Sequence, residues 1–285
     1  MILHAYTTRA HGAQRDPAMT IFHLFLVAVI QGLTEFLPIS SSGHLVLLPE
    51  LTGQPDQGLA IDVAVHVGSL FAVIVYFWRD VKIAAAGCLR LVKGRVDTQG
   101  AFLSLCLGIA TVPVITAGLI IRLAGFDEAL RSITVIGWAT LGFGLLLYWA
   151  DRTGSEERQT AGWTIRDATL MGLAQAFALI PGTSRSGVTI TAARRLGYKR
   201  EDAARLSMLM SIPTIFASGV MLSIGIVGDA DWQMARDGII AAAFAFCAAL
   251  LALSLMMRLL KSVSFTPYVI YRVALGLVLL TIAYS

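Results

Sequence analysis

The stretch Gln31 to His44, QGLTEFLPISSSGH, gathers an acid, three consecutive hydroxyls and a histidine within fourteen residues. Gln31 and Glu35 stand at i and i+4, so on a helix they share one face. Pro38 ends that helix and Gly43 lets backbone come close to a ligand. Ser40, Ser41 and Ser42 can cap a following helix and leave amide hydrogens aimed at an anion, or one of them can act as a nucleophile. His44 can relay a proton near neutral pH or pack as a satisfied core residue. A second stretch, PGTSRSGVTI from Pro181 to Ile190, places Arg185 between Ser184 and Ser186, with Gly182, Thr183 and Gly187 around them. An arginine fork in a glycine- and serine-rich turn suits phosphate oxygens. Together the two stretches offer a hydroxyl, a proton carrier, a carboxylate and an arginine, a set suited to phosphoryl transfer, where positioning and charge neutralisation do most of the work.

Both stretches continue apolar runs, and that constrains their setting. The chain of 285 residues is 56% hydrophobic and 14% charged, with mean hydropathy +0.74. Soluble domains carry about 25% charged residues, so this is a multi-pass membrane protein. Irregular backbone at membrane depth survives only where protein or a wet cavity surrounds it, and an ionisable residue there marks a functional site. An unpaired carboxylate in hydrocarbon protonates, so a metal, a protonated His44 or an arginine is expected beside Glu35. The apolar surroundings suggest that the rest of the substrate is lipid.

The elements that hold these residues read as six spans, near 59–78, 100–122, 132–150, 206–227, 238–257 and 265–284, each long enough for about 30 Å of hydrocarbon. Segments 20–37 and 167–180 run into the broken motifs and read as re-entrant hairpins. At a constant offset of 144, Gln31, Ser40, Ser42 and Gly43 match Gln175, Ser184, Ser186 and Gly187. Three spans follow each copy, so the copies enter from opposite sides: an all-α inverted repeat, with repeat one about 19–150 and repeat two about 165–285. The loops 79–99, 151–166, 192–205 and 258–264 carry five, three, five and two Lys/Arg, against one each in 123–131 and 228–237. The positive-inside rule puts the first set in the cytoplasm and the opening of the first hairpin outside. Residues 1–18 read as a disordered extension or an early start. Cys88, Cys106 and Cys247 read as small buried hydrophobes. Asp62 and His66, at i and i+4, either line the same cavity or form an interfacial pair, and Arg272 is expected to snorkel to the cytoplasmic surface. The net charge of +4 does not point to nucleic acid, because the basic residues sit in loops.

The two motifs, in this order and spacing, closely resemble those of the undecaprenyl-diphosphate phosphatases, or bacitracin resistance proteins, with their (E/Q)xxxE and PGxSRSxxT patterns. IDVAVHVGSL, SMLMSIPTIF and YRVALG also look familial, and the likeness spans about residues 19–285. The resemblance implies removal of the terminal phosphate of undecaprenyl diphosphate in the bacterial inner membrane, with the site toward the periplasm. It assigns catalysis to Ser41, His44, Glu35 and Arg185, with Ser40, Ser42, Gly43, Gly182, Thr183, Ser184, Ser186 and Gly187 at the substrate. It also implies a divalent cation, Mg2+ or Ca2+, at Glu35 and Gln31. The attacking group is Ser41 or a metal-bound water. A homodimer is left open.

Three rivals differ in class. A phosphatidate phosphatase type 2 enzyme needs a histidine after its SR motif, and all five histidines here lie at or before His66. A transporter or flippase shares the inverted architecture but would use the arginine only to hold a head group. An assembly protein would not need intramembrane Glu35 and Arg185, each costing about 2.5–3.5 kcal/mol on insertion scales.

Overall fold

The computed structural model describes residues 20–53, 57–126, 129–223 and 232–285. The proposed extension 1–18 lies outside them. The described chain is all helical: α1 (Ile21–Phe36), α2 (Ser41–Thr52), α3 (Gly58–Tyr76), α4 (Trp78–Val92), α5 (Gln99–Ala124), α6 (Ile133–Thr153), α7 (Ile165–Ala176), α8 (Arg185–Arg195), α9 (Arg200–Ser223), α10 (Trp232–Leu259) and α11 (Thr266–Tyr284). Six of these, α3, α5, α6, α9, α10 and α11, are long and apolar enough to cross a membrane. Their outward faces carry large apolar side chains, with Phe71, Trp138, Ile239 and Leu277 all more than half exposed, as a lipid-facing surface requires.

The expected spans differ at their edges. The span near 59–78 stops at Tyr76, and the expected loop 79–99 is mostly the helix α4. Its only fully buried residue is Gly87. It packs on α5 by one narrow face, and a count of charges alone cannot separate such a helix from a loop. Cys106 is buried as expected, whereas Cys88 and Cys247 are exposed, because each faces outward from its helix.

The halves exchange partners. α10 packs on α1 and α3, while α5 packs on α7 and α9. Within lipid no hydrophobic force pulls helices together, so close approach rests on small residues. A Cβ on Gly68 would stand 2.1 Å from the Ala242 carbonyl oxygen; α3 and α10 can meet there only as glycine against backbone. At the basic end, Arg194 is fully buried and its Nε donates to Asp151 at 3.0 Å, while the other carboxylate oxygen of Asp151 accepts from the Phe265 amide at 3.2 Å. One carboxylate thereby ties α8, α6 and the start of α11.

Candidate functional site

The site is built on two breaks in the helices. α1 ends at Phe36; residues 37–39 turn, and α2 starts at Ser41. α7 gives way to a 3-10 turn, Phe177–Leu179, then to residues 180–184 before α8 starts at Arg185. Ser40 and Ser184 sit at φ 75° and 66°, the only described non-glycine residues with positive φ. Such a conformation costs about 1–3 kcal/mol and persists only where its surroundings impose it. Here the two breaks hold each other. The Gly182 amide donates to Ser42 Oγ at 3.2 Å, and Ser186 Oγ donates to the Leu37 carbonyl at 3.0 Å.

Arg272 completes the brace. It was expected to reach the cytoplasmic surface; instead it is fully buried. Its guanidinium donates to the carbonyls of Pro38 at 3.3 Å, Gly182 and Thr183 at 3.0 Å each, and Thr140 at 3.1 Å. Three of these carbonyls, those of Pro38, Gly182 and Thr183, lie in the breaks and need donors, and the buried fork supplies them. Depth along α11 follows from sequence position, but the direction a residue faces does not, and Arg272 faces inward.

Glu35 is the hub of the cavity that results, about 140 Å³ in volume and lined by Ser40, Ser41, Ser42, His66, Ser184 and Arg185 among others. Its Oε2 accepts from Gln31 Nε2 at 2.9 Å and from Ser41 Oγ at 3.2 Å. Its Oε1 accepts from Arg185 Nη2 at 3.3 Å. The two side chains are 9% and 11% exposed, so the pair is shielded yet reachable from the cavity. Arg185 also donates to the Ser207 carbonyl at 3.3 Å, while its Nε is buried without a protein partner. The cationic neighbour demanded by a carboxylate at this depth is therefore Arg185, supplied from the other half of the chain.

The remaining expected residues divide. Ser40 and Ser42 Oγ stand 3.1 Å apart, as do Ser184 and Ser186 Oγ. Ser184 caps α8, accepting from the Gly187 amide at 3.2 Å, whereas Ser40 makes no side-chain cap. Gly187 is spatially obligatory: a Cβ there would approach Arg272 Nη1 to 2.7 Å. Gly43 is not so confined, its nearest contact being 3.8 Å. The Thr183 hydroxyl is buried without a partner.

His44 is turned away from Ser41. Its Nδ1 bonds the Ser40 carbonyl at 2.7 Å and its Nε2 meets the Tyr271 hydroxyl at 2.5 Å, with the two rings stacked. A carbonyl only accepts, so Nδ1 carries the proton and Nε2 is the acceptor. His66 has the same tautomer, set by the Asp62 carbonyl at 2.7 Å. Its Nε2, however, faces the cavity, 3.9 Å from Glu35 Oε2. Asp62 is buried and accepts from Gln57 Nε2 at 2.8 Å. Of the pair Asp62 and His66, only the histidine lines the cavity. The helical spacing placed both on one face, but the depth of Glu35 decides which of them reaches it.

Among the described residues, no group of three or more His, Cys, Asp and Glu gathers to hold a metal. A Mg2+ site does not demand one, since Mg2+ is commonly held by one or two carboxylates and completed by waters and substrate phosphate. Glu35 supplies a carboxylate amid hydroxyls, and the Gln31 carbonyl oxygen is buried with no protein partner. Both are oxygen donors of the kind a hard cation takes.

Comparison with known proteins finds relatives along most of the chain. Residues 24–278 match the family described as bacitracin resistance protein BacA. The undecaprenyl-diphosphatase of Roseobacter denitrificans is 75% identical over 267 residues, 94% of this chain and all of the relative. That of Dinoroseobacter shibae is 67% identical over the same shares. Undecaprenyl-diphosphatase 1 of Rhodospirillum rubrum is 45% identical over 272 residues, 93% of this chain and 96% of the relative.

Proposed function

The chain belongs to the bacitracin resistance protein BacA family, and from that premise we infer that it is an undecaprenyl-diphosphatase, releasing the terminal phosphate of undecaprenyl diphosphate so that the carrier lipid is used again in cell-wall synthesis. The observation that carries the reading is the shielded contact of Arg185 with Glu35 at 3.3 Å beside the Ser41 hydroxyl. A transporter needs a cation for a phosphate head group. It does not need a hydroxyl hydrogen-bonded to a carboxylate next to it.

In the step we favour, Ser41 Oγ attacks the terminal phosphorus as its proton passes to Glu35 Oε2, the atom it already donates to. The Oγ–P bond forms and the anhydride P–O bond breaks, releasing undecaprenyl phosphate as the anion. Water then adds to the phosphoserine phosphorus as the P–Oγ bond breaks, Glu35 returns the proton to Ser41 Oγ, and inorganic phosphate leaves. Arg185 and the amides at the start of α8 neutralise charge on the equatorial oxygens, and the unpartnered Arg185 Nε offers a further donor. His44, bonded to the Ser40 carbonyl, steadies the left-handed residue next to the nucleophile. A Mg2+ or Ca2+ ion, held by Glu35 and Gln31, would supply additional charge neutralisation when bound.

The topology we propose follows the charge. The ends rich in Lys and Arg lie in the cytoplasm of a bacterial inner membrane and the cavity opens to the periplasm. α1–α2 and α7–α8 are re-entrant hairpins of an inverted repeat. The deciding experiment is phosphate release from the purified full-length chain in detergent, with and without chelator, for the native protein and Arg185→Ala. Detergent offers no second compartment, so release by the native chain alone supports an enzyme, and no release refutes one. Phosphoserine trapped at position 41 during turnover separates serine attack from attack by water.

A further inference from the structure

Among the described residues that line the Glu35 cavity, His66 is the only histidine, and the step above does not use it. It stands on α3, where its Nδ1 donates to the Asp62 carbonyl at 2.7 Å. That bond fixes the ring and leaves a lone pair on Nε2. No described donor reaches Nε2. What faces it is another acceptor, Glu35 Oε2, at 3.9 Å, with the two side chains 25% and 9% exposed. At 3.9 Å a second proton on the ring would not make a hydrogen bond between them. The gap suits a shared ion instead. Metal–nitrogen and metal–oxygen bonds of about 2.0–2.2 Å span at most about 4.4 Å end to end, so one ion can touch both atoms where they stand.

We propose that His66 is a ligand of the divalent cation, with its Nε2 and Glu35 Oε2 on one ion. The proposal rests on the cation named in the phosphatase reading above. The surroundings favour it. Arg185 takes the other carboxylate oxygen, Oε1, so guanidinium and metal do not compete for one atom. Ser41 Oγ stands 3.2 Å from the same Oε2, so an ion there lies beside the hydroxyl, and metal coordination is one way to activate such a group. A carbonyl on the far ring nitrogen is the usual partner of a metal-bound imidazole; it orients the ring and raises its basicity. One carboxylate and one imidazole are enough from the protein, because waters and phosphate oxygens complete such a sphere. The nitrogen also discriminates. Ca2+ is held by oxygens, whereas imidazole suits first-row transition ions, so His66 tilts the site toward Mn2+ and away from Ca2+.

The test adds Mn2+ to the purified full-length protein in detergent, with its histidines labelled with 15N and inorganic phosphate present. Electron spin-echo spectra of the bound Mn2+ are expected to show coupling to a histidine nitrogen in the native protein. The coupling should persist in His44→Ala, whose native ring is bonded to Tyr271, and vanish in His66→Ala. Mn2+ affinity should fall at least about tenfold in His66→Ala, and Ca2+ affinity about twofold or less. Bound Mn2+ without histidine coupling in the native chain, coupling that survives in His66→Ala, or no saturable Mn2+ binding at all overturns the assignment. Should His66→Ala not fold, His66→Gln decides: it offers an oxygen in place of the nitrogen, so Mn2+ still binds, more weakly and without the coupling. These readouts need no turnover. A protein that holds Mn2+ through His66 and releases no phosphate counts against the phosphatase reading and leaves the ligand standing. Phosphate release without histidine coupling does the reverse.

Discussion

The two breaks share a backbone and divide the chemistry. Each has a left-handed serine, and each has a pair of serine hydroxyls 3.1 Å apart. At the repeat offset of 144, however, Glu35 corresponds to Leu179, Pro38 to Gly182, Ser41 to Arg185 and His44 to Val188. One break carries the acid and the hydroxyl, the other the cation. Where the first puts the carboxylate, the second puts Leu179, an apolar side chain that lines the same cavity. Two turns of like backbone meet face to face and differ at a few positions, which on the reading proposed above would make one of them reactive and the other a clamp.

The sharpest way to break that division is to remove its cation. Arg185→Ala is expected to cost about 10³-fold or more in phosphate release, the scale of a lost arginine in phosphoryl transfer. Arg185→Lys should rescue little, because a point charge cannot serve Glu35, the Ser207 carbonyl and a phosphate at once. Next comes the brace common to both breaks. Arg272→Met takes the guanidinium from four buried carbonyls, of which Gly182 keeps the Thr140 hydroxyl while Pro38 and Thr183 lose their side-chain donor, at about 1–3 kcal/mol for each one left unpaired, so thermal denaturation in detergent should show a clear loss of stability together with loss of activity.

The counterparts Pro38 and Gly182 should then behave unequally. Gly182 sits at φ +92°, and a Cβ there would lie 2.4 Å from the Ile136 carbonyl oxygen. Gly182→Ala is expected to destabilise by about 2–3 kcal/mol or more, while Pro38→Ala should cost about 1 kcal/mol or less. His44→Ala removes the bond that holds Ser40 and should lower kcat at least about tenfold, with Tyr271→Phe milder, since the Ser40 bond stays. The smallest effect separates the two serines. Ser40→Gly relieves left-handed strain without loss of a cap and should stabilise by about 1 kcal/mol. Ser184→Gly gives up the bond to the Gly187 amide and should gain less.

Much of the site was legible in sequence because membrane depth turns each polar residue into a demand. Glu35 requires a cation, and the motif around Arg185 is the place where one is offered amid an apolar chain. The breaks announce themselves through Pro38, Gly182 and the serine clusters, and the six spans through length. What stayed hidden depends on direction about a helix axis. Arg272 and His66 each sit on an apolar helix where sequence fixes height but not heading. Their partners, the turns at Pro38 and Gly182 for one and Glu35 for the other, come from segments that only the packed bundle brings near. α4 escaped notice for a related reason, since its charges mask a helix that buries little else.

The reach of Arg272 from α11 back to Pro38 also bears on when the protein becomes active. During synthesis the acid, the hydroxyl and the clamp are all made before α11, yet the guanidinium that ties both turns together is not. A chain that ends ahead of α11 is therefore expected to carry Glu35, Ser41 and Arg185 without the brace that holds the two turns together.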